Sequence, residues 1–379
     1  MPLYFEKPRG TKDTLPDKMK KLNEITGSWV RLMGTWGYEE IQTPVIEFYE
    51  TVGLFSKTKQ DSFLKLLDGT GKTTILRSDY TTPIARLTAS LHQKIEFPIR
   101  YMYHGKVYRN KGSNGVEEIN QLGIELVGVD NLEGDAEVIC LAVKSISNCT
   151  SKKFQISIGH SQFLQLLLKQ VNCPDNVQKS LYNFLLEQNY VGYKSTVSEL
   201  NIEDKYKTYL IDILKLRGSI EQITSAKDWF NSPEWQNIFA AFLGLWKILQ
   251  EYQIEEYIGF DLSLVGNQNY YTGLIYNGYS EGNPAPICTG GRYDNLFESF
   301  ERNAPATGFA INIDALVNVS ELNMNEKKKT LIIYEEKNRL ETIKIAEQMR
   351  SEGKIVIIID KNKVTEKYKE EFAEVLFSE

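Results

Sequence analysis

The sequence predicts an α+β fold in which a β-sheet is flanked by helices, and three patterns predict it. Residues 18–36 have the periodicity of an amphipathic helix. The segments 99–109 and 118–128 are rich in alternating β-branched and aromatic residues on either side of a polar loop. Residues 263–294 combine short β-rich runs with Asn, Gly and Pro turn signals. Helices and strands in separate blocks are typical of α+β proteins.

Bulk composition indicates an ordinary globular protein of two or three domains. The 379 residues are 42% hydrophobic and 25% charged, and no stretch approaches the ~20 apolar residues of a membrane span. The first residues lack the apolar core of a signal peptide, so we expect a cytoplasmic chain. The 50 acidic residues outnumber the 44 basic ones, which weighs against tRNA as a partner.

The cysteines and histidines predict neither a metal site nor a disulfide. No Cys-x-x-Cys spacing occurs, and the three histidines are scattered. We therefore expect free thiols and no cofactor. The four cysteines are Cys140, Cys149, Cys173 and Cys288.

The N-terminal third begins with the predicted helix and continues into short strands. Tyr38–Glu47 is a strand run interrupted by Pro44, which demotes it to a sheet edge. Asp68-Gly69 predicts a hairpin turn. The neighbouring Gly-Thr-Gly-Lys-Thr resembles a phosphate loop only superficially, because the full spacing of that loop is missing. Apolar residues define one face of the helix: Leu22, Ile25, Trp29, Leu32, Met33 and Trp36.

The segment 76–83 carries two signals. Asp79 is chemically suited to hold an ammonium group by a charge-assisted contact. Thr82 before Pro83 predicts a helix N-terminus. Both interpretations hold together if one residue binds a ligand and another caps the helix.

The middle and end of the chain divide into further predicted regions. A helix is expected over Asn131–Ser147 and a strand over Phe154–Ile158, before a leucine-rich helical insertion at about 160–257. A polar linker at 322–329 separates a core of residues 1–321 from a short βαβα segment at 327–379. That segment is predicted as strand 330–334, helix 336–351, strand 354–360 and helix 363–377.

The segment 263–294 is the stretch around which the chain is organised. We expect strands at 262–265, 270–276 and 286–289, with turns at Asn277-Gly278 and Glu281–Pro284. Gly290-Gly291 permits close approach of a ligand to the backbone. The tyrosines here offer rings and hydroxyls for a polar pocket; alternatively, they only fill a sheet face. They are Tyr270, Tyr271 and Tyr293.

Tyr-Tyr-Thr-Gly at 270–273 followed by Gly-Gly-Arg-Tyr-Asp at 290–294 resembles the histidine-recognition segment of histidyl-tRNA synthetases. The helix, strand and proline before residue 47, the pair 99–128 and the strand-helix segment 306–316 are similar to the three motifs of class II aminoacyl-tRNA synthetases. The resemblance covers residues 9–316. It implies an antiparallel sheet flanked by helices and a homodimer built through the first motif, whereas that segment alone would favour packing within a monomer.

The resemblance also implies a set of histidine-site residues. Asp79 and Thr81 match the residues that hold the amino group of bound histidine. Arg109 is included in this set, and its counterpart in the family grips the α-phosphate of ATP. The remaining candidates match residues that line the histidine site: Gln121, Glu125, Tyr270 and Tyr271.

Three nucleotide contacts of the synthetases are missing from this sequence. Ala315 and Gly266 stand where the family has arginines, and Asn110-Lys111 replaces a His-Glu pair. Because losing one preorganised donor typically costs ~10² to 10³ in rate, we expect no adenylation activity. Asn269 also replaces an acid before the tyrosine pair.

A synthetase-like fold with an amino-acid pocket but without the ATP clamps is similar to the regulatory subunits of ATP phosphoribosyltransferase. This resemblance implies a non-catalytic role in histidine biosynthesis, with the catalytic subunit and a second copy of the chain as partners. It also implies feedback by histidine. The alternatives are a divergent histidyl-tRNA synthetase and a histidine-sensing or tRNA-binding paralogue. The 327–379 segment is too short for the family's full anticodon-binding domain.

Overall fold

The computed structural model describes residues 4–56, 60–91, 95–266, 270–321 and 328–378. The chain divides into two units, Met1–Leu322 and Asn323–Glu379. Within the described residues, no helix combines the length and the apolar character needed to cross a membrane.

The first unit is built on a sheet in which nine strands are described. The order across the sheet is β1 (Glu39–Glu40), β5 (Ile99–Asn110), β6 (Val116–Val127), β12 (Ala306–Asn312), β11 (Cys288–Arg292), β10 (Leu274–Ser280), β7 (Phe154–His160), β9 (Ile258–Asp261) and β8 (Arg217–Gly218). The six strands from β5 to β7 in this order are antiparallel to their neighbours, whereas β1 lies parallel to β5 and β9 lies parallel to β7.

A smaller sheet of the first unit carries the predicted hairpin. Its order is β2 (Ile46–Phe48), β4 (Thr73–Leu76) and β3 (Lys65–Leu67), all antiparallel. Asp68 closes the turn between β3 and β4, since its Oδ1 accepts hydrogen bonds from the backbone N–H of Thr70 at 2.8 Å and of Lys72 at 2.9 Å. The hairpin prediction is confirmed.

The helices of the first unit flank the main sheet or form the insertion. The first helix buries most of the predicted apolar face. One residue of that face, Trp29, donates its Nε1–H to Ser145 Oγ of a later helix at 3.1 Å. The helices are α1 (Pro16–Thr35), α2 (Thr81–Ser90), α3 (Leu132–Ser147), α4 (Phe163–Gln170), α5 (Asp175–Leu186), α6 (Tyr190–Glu199), α7 (Asp204–Asp212), α8 (Ile220–Thr224), α9 (Pro233–Glu251) and α10 (Ile313–Val319).

Strand β6 shows how the sheet separates the core from the site. Side chains alternate between the two faces of a strand. Leu122, Ile124 and Leu126 are buried in the main hydrophobic core with residues of α1, α3 and α9. Gln121 and Glu125 therefore lie on the opposite face, where a cavity opens.

Two details of the organising segment differ from the prediction. Asn277-Gly278 lies inside β10 rather than in a turn, because Gly278 serves packing: a Cβ there would lie 2.9 Å from Ile156 Cδ1 and 3.0 Å from Cys288 Cβ. No strand forms at 262–265, since β9 ends just before this segment, at Asp261. The Asp261 carboxylate accepts from the Ser263 N–H at 2.8 Å, which turns the chain.

The strand expected from Tyr270 begins only at Leu274, so the tyrosine pair precedes β10 in irregular backbone. The next strand likewise begins at Cys288 rather than at residue 286. The predicted turn at Glu281–Pro284 lies between these two strands, β10 and β11. The tyrosine side chains are consequently placed by the loop rather than by the alternation of a strand.

The second unit is a small parallel sheet with one long helix. Its order is β14 (Ile355–Asp360), β13 (Lys329–Tyr334) and β15 (Glu374–Phe377), with helices α11 (Arg339–Ser351) and α12 (Glu366–Lys369). The helix predicted over 363–377 is wrong. Only one turn of it forms, and Glu374–Phe377 instead pairs with the free edge of β13, which satisfies backbone groups that a two-stranded sheet would leave open.

Candidate functional site

All seven sequence-predicted site residues line one cavity on the open face of the main sheet. The start of α2 contributes Asp79 and Thr81, strands β5 and β6 contribute Arg109, Gln121 and Glu125, and the loop before β10 contributes the tyrosine pair. The cavity volume is about 50 Å³, which is room for roughly three to five water molecules.

Asp79 is the buried carboxyl at the helix end of the cavity. Its Oδ1 accepts a hydrogen bond from the Thr82 N–H at 2.8 Å, and its Oδ2 accepts from Ser78 Oγ at 3.1 Å. Burial raises the pKa of Asp79, while these hydrogen bonds oppose the rise. The Asp79 side chain caps the start of α2, so the cap expected from Thr82 is supplied by Asp79 instead.

Glu125 is the second buried carboxyl. It accepts hydrogen bonds from Thr81 Oγ1 at 2.7 Å and from the Tyr293 hydroxyl. Burial raises the pKa of Glu125 to about 8, and the nearby charge of Asp79 contributes to the rise. Gly308 makes room for it, since a Cβ at that position would lie 2.0 Å from Glu125 Oε2.

Tyrosines form much of the cavity wall. The rings of Tyr270 and Tyr271 are 5.1 Å apart and those of Tyr270 and Tyr293 are 5.7 Å apart, with the pairs edge to face. Burial raises the pKa of all three phenols, so they remain protonated donors. The sequence did not single out Tyr80 and Tyr103, which line the cavity and stack at 4.2 Å. Both occur in segments otherwise typical of ordinary core.

The cavity contains groups of both charges. Arg109 supplies the positive charge among the described lining residues, and its charge lowers the pKa of Asp79 against the larger effect of burial. Gln121 adds a buried amide. A carboxyl group and a guanidinium in one cavity suit a small zwitterion, because each charged group of such a ligand can meet an opposite charge.

The positions of the missing synthetase contacts hold small or internally bonded residues. Ala315 is buried in the first turn of α10, where its N–H donates to Asn312 Oδ1 at 3.1 Å. The Gly266 carbonyl accepts from the Tyr182 hydroxyl at 2.6 Å. Lys111 forms an ion pair with Glu117 at 3.0 Å. The replacement at Asn269 lies outside the described residues.

The arginine of the Gly-Gly-Arg-Tyr-Asp motif is structural. Arg292 is buried and pairs with Asp135 of α3 and with Asp294, each at 3.1 Å. The Arg292–Asp135 ion pair joins β11 to α3, on the face of the sheet away from the cavity. No sequence signal connects Arg292 with a residue so far along the chain, and sequence reasoning did not find the pair.

No group of metal-ligating side chains forms within the part of the chain that the structure describes. The four cysteines are buried free thiols. The free-thiol prediction is confirmed.

Comparison with known proteins identifies the family. The family model of histidyl-tRNA synthetase matches residues 10–316. The ATP phosphoribosyltransferase regulatory subunit of Halalkalibacterium halodurans is 37% identical over 369 residues, which cover 96% of this chain and 93% of the relative. That of Bacillus subtilis is 36% identical and covers 94% and 92%.

Solved structures agree with this result. A crystal structure described as an ATP phosphoribosyltransferase regulatory subunit/histidyl-tRNA synthetase from Bacillus halodurans has a TM-score of 0.92 and 36% identity, covering 100% of this chain and 99% of that one. The histidyl-tRNA synthetase of Nostoc sp. PCC 7120 shares the fold, with a TM-score of 0.80, 19% identity and coverage of 97% and 88%. The chain therefore belongs to the ATP phosphoribosyltransferase regulatory subunits, a family built on the class II histidyl-tRNA synthetase fold.

Proposed function

We propose that this chain is a non-catalytic regulatory subunit that assembles with a catalytic ATP phosphoribosyltransferase subunit in the cytoplasm. In that assembly it supports the first step of histidine biosynthesis and reports histidine levels. The observation that carries the proposal is the contrast within one site. The amino-acid cavity keeps all seven candidate residues, whereas the positions of the two ATP-binding arginines hold Ala315 and Gly266.

Histidine is the proposed ligand of the cavity. The Asp79 carboxylate suits the ligand ammonium, and Arg109 suits the ligand carboxylate. The Glu125 carboxyl, whose pKa is raised to about 8, suits a hydrogen bond with the imidazole. Thr81 holds Glu125 in place through its 2.7 Å hydrogen bond. Gln121 and the tyrosines supply neutral hydrogen-bonding groups that fix the orientation of the ligand.

Feedback requires that histidine bind two conformations of the assembly unequally. Coupling energies of about 1 to 3 kcal/mol are usual for such regulation. Histidine in the cavity regulates in this way only if its contacts with the lining residues differ between the two conformations.

The alternative of a working synthetase has less support. Adenylation builds negative charge on the α-phosphate, and fixed cations must stabilise it. Arg109 remains as one such cation. Lys18 forms an ion pair at 2.8 Å with Asp314, the residue before Ala315, so this lysine is already engaged within the protein and does not replace the missing arginine. Pyrophosphate exchange with histidine and ATP is the test, and turnover above background would favour the synthetase.

We further propose that the chain forms a homodimer through the outer face of the small sheet. Ile46, Phe48 and Leu66 are exposed there, at 53%, 45% and 45%. Phe48 and Leu66 flank Thr74 on adjacent strands, so they form one apolar surface. The resemblance assigns the segment that ends at Glu47, which includes Ile46, to the synthetase dimer. Phe48→Glu should shift the molecular mass measured by light scattering from dimer to monomer, whereas the Phe377→Glu control, at an exposed residue of the second unit, should not.

The experiment that tests the main proposal is reconstitution with the catalytic subunit. The two chains should elute together in size-exclusion chromatography, and phosphoribosyl transfer to ATP should increase on mixing. Separate elution with unchanged activity would refute the regulatory role. Within this proposal the unit at 1–321 carries the synthetase-like core, and the 327–379 unit is a separate small α/β unit.

A further inference from the structure

We propose that a groove beside the candidate cavity binds a small organic anion with a planar apolar body, the chemical class that includes nucleoside monophosphates and aromatic carboxylates. Helices α4 and α5 of the insertion form its walls. Its volume is about 480 Å³, within the ~300 to 1,000 Å³ typical of small-molecule sites. It is therefore far larger than the amino-acid cavity next to it.

The groove has an apolar floor and aromatic sides. Leu164 and Leu168 lie one turn apart on α4 and line the floor with the small part of each side chain that the core leaves exposed. Tyr182 stands opposite on α5, and its hydroxyl donates to the Gly266 carbonyl at 2.6 Å, which fixes its ring. Tyr271 closes the side toward the cavity. These surfaces suit a flat apolar body.

Polar groups with unused hydrogen-bonding capacity surround this floor. Ser161 Oγ is buried and has no hydrogen-bond partner among the described residues. Such a group is unfavourable unless something satisfies it, so a ligand that reaches it gains a hydrogen bond without a competing one. The side-chain amides of Gln165 and Asn183 line the same groove.

The charge of the lining selects an anion. Lys179 is an exposed cation on α5, and no carboxylate lies among the described lining residues. A carboxylate or phosphate on the ligand would meet Lys179 without repulsion from an acidic neighbour. The amino-acid cavity differs, since two carboxyls line it.

Tyr271 lines both the groove and the amino-acid cavity. A ligand that fixes this ring from the groove side changes the space on the cavity side. By linkage, the groove ligand and the cavity ligand must then alter the affinity for each other by the same factor.

Isothermal titration calorimetry tests the groove directly, with adenosine monophosphate and indole-3-acetate as probes and neutral adenosine as the charge control. We expect at least one anionic probe to bind more tightly than adenosine. Preference for one probe identifies whether phosphate or carboxylate is favoured. Failure of both probes to bind would overturn the proposal.

Variants separate a built site from adventitious binding. Lys179→Glu should weaken binding of the anionic probe by roughly tenfold or more, and Gln165→Trp should block the groove. Lys194→Glu, the same charge change on α6, should leave binding unchanged. Circular dichroism verifies that each variant is folded. Equal affinity in all variants would contradict the site.

The coupling has its own measurement. Saturating the groove with the bound probe should change the histidine affinity by about fivefold or more, and an unchanged affinity would contradict the shared role of Tyr271. Groove binding itself does not depend on the proposed regulatory function, because Lys179 and Gln165 lie outside the amino-acid cavity.

Discussion

Two parts of the synthetase-like core differ in how their polar groups are supported. We call the cavity proposed for histidine the amino-acid side, and the positions of the missing synthetase contacts the nucleotide side. On the amino-acid side, Asp79 and Glu125 are buried and hydrogen-bonded, and tyrosines surround them. On the nucleotide side, Ala315 packs into the core and Lys111 is paired with Glu117. The difference indicates that this scaffold retains a costly buried polar cluster, whereas other residues stand at the positions of the synthetase arginines.

The largest expected effect comes from removing one charge on the amino-acid side. Asp79→Asn keeps an oxygen that accepts from the Thr82 N–H but loses the carboxylate. Because hydrogen bonds to charged groups contribute about 1.5 to 3 kcal/mol, histidine affinity should fall roughly 10- to 100-fold with little change in melting temperature. Calorimetric titration with histidine measures it.

Asp68→Asn is the matched control, because that carboxylate accepts similar backbone hydrogen bonds in an exposed turn outside the cavity. If both variants lose histidine binding equally, or if Asp79→Asn binds like the wild type, the amino-acid side has been assigned wrongly.

The next effect concerns the nucleotide side. Ala315→Arg restores the residue type found in the synthetases, but Ala315 is buried in the present packing. Overpacking typically costs about 1 to 3 kcal/mol, so the free energy of unfolding in urea should fall by that amount. Asn318→Arg, at an exposed position of the same helix, should be nearly neutral. A neutral Ala315→Arg variant that also catalyses pyrophosphate exchange would show that the nucleotide side is still available.

The third effect concerns how stability depends on pH through the proton held by Glu125. Its pKa is raised to about 8, so the folded protein holds a proton that the unfolded chain releases above its ordinary pKa of about 4.3. This contribution to stability is full below that value and is lost as the pH rises toward 8, with a slope of at most about 1.4 kcal/mol per pH unit.

Glu125→Gln should remove that slope from the dependence of unfolding free energy on pH, measured between pH 5 and 8 by ~0.5-unit steps. Glu133→Gln, an exposed change of the same type, should leave it in place. Identical slopes in all three proteins would mean that Glu125 does not carry the proton.

Much of the fold and of the candidate site could be predicted because their signals are local. The periodicity of α1, the Asp68-Gly69 turn and the alternation of β5 and β6 are each readable within a dozen residues. The cavity residues came from a resemblance that covers most of the chain, and the structure brings those seven residues together.

What could not be predicted depends on partners distant in sequence. Asn277-Gly278 has turn chemistry, but its glycine is required by the packing of Ile156 and Cys288 against it. Glu374–Phe377 becomes a strand because β13 has a free edge. Arg292 is held by its ion pair with Asp135, and the sequence around either residue does not indicate that pairing.

The measurement that most directly tests the account is phosphoribosyl transfer by the catalytic subunit, assayed alone, with this chain, and with this chain plus histidine. The account predicts that the wild-type chain raises turnover and that histidine reverses the increase. With Asp79→Asn, it predicts that reversal requires at least tenfold more histidine, given the lost charged contact. Unchanged turnover on adding the chain, or equal sensitivity to histidine in both assemblies, would contradict it.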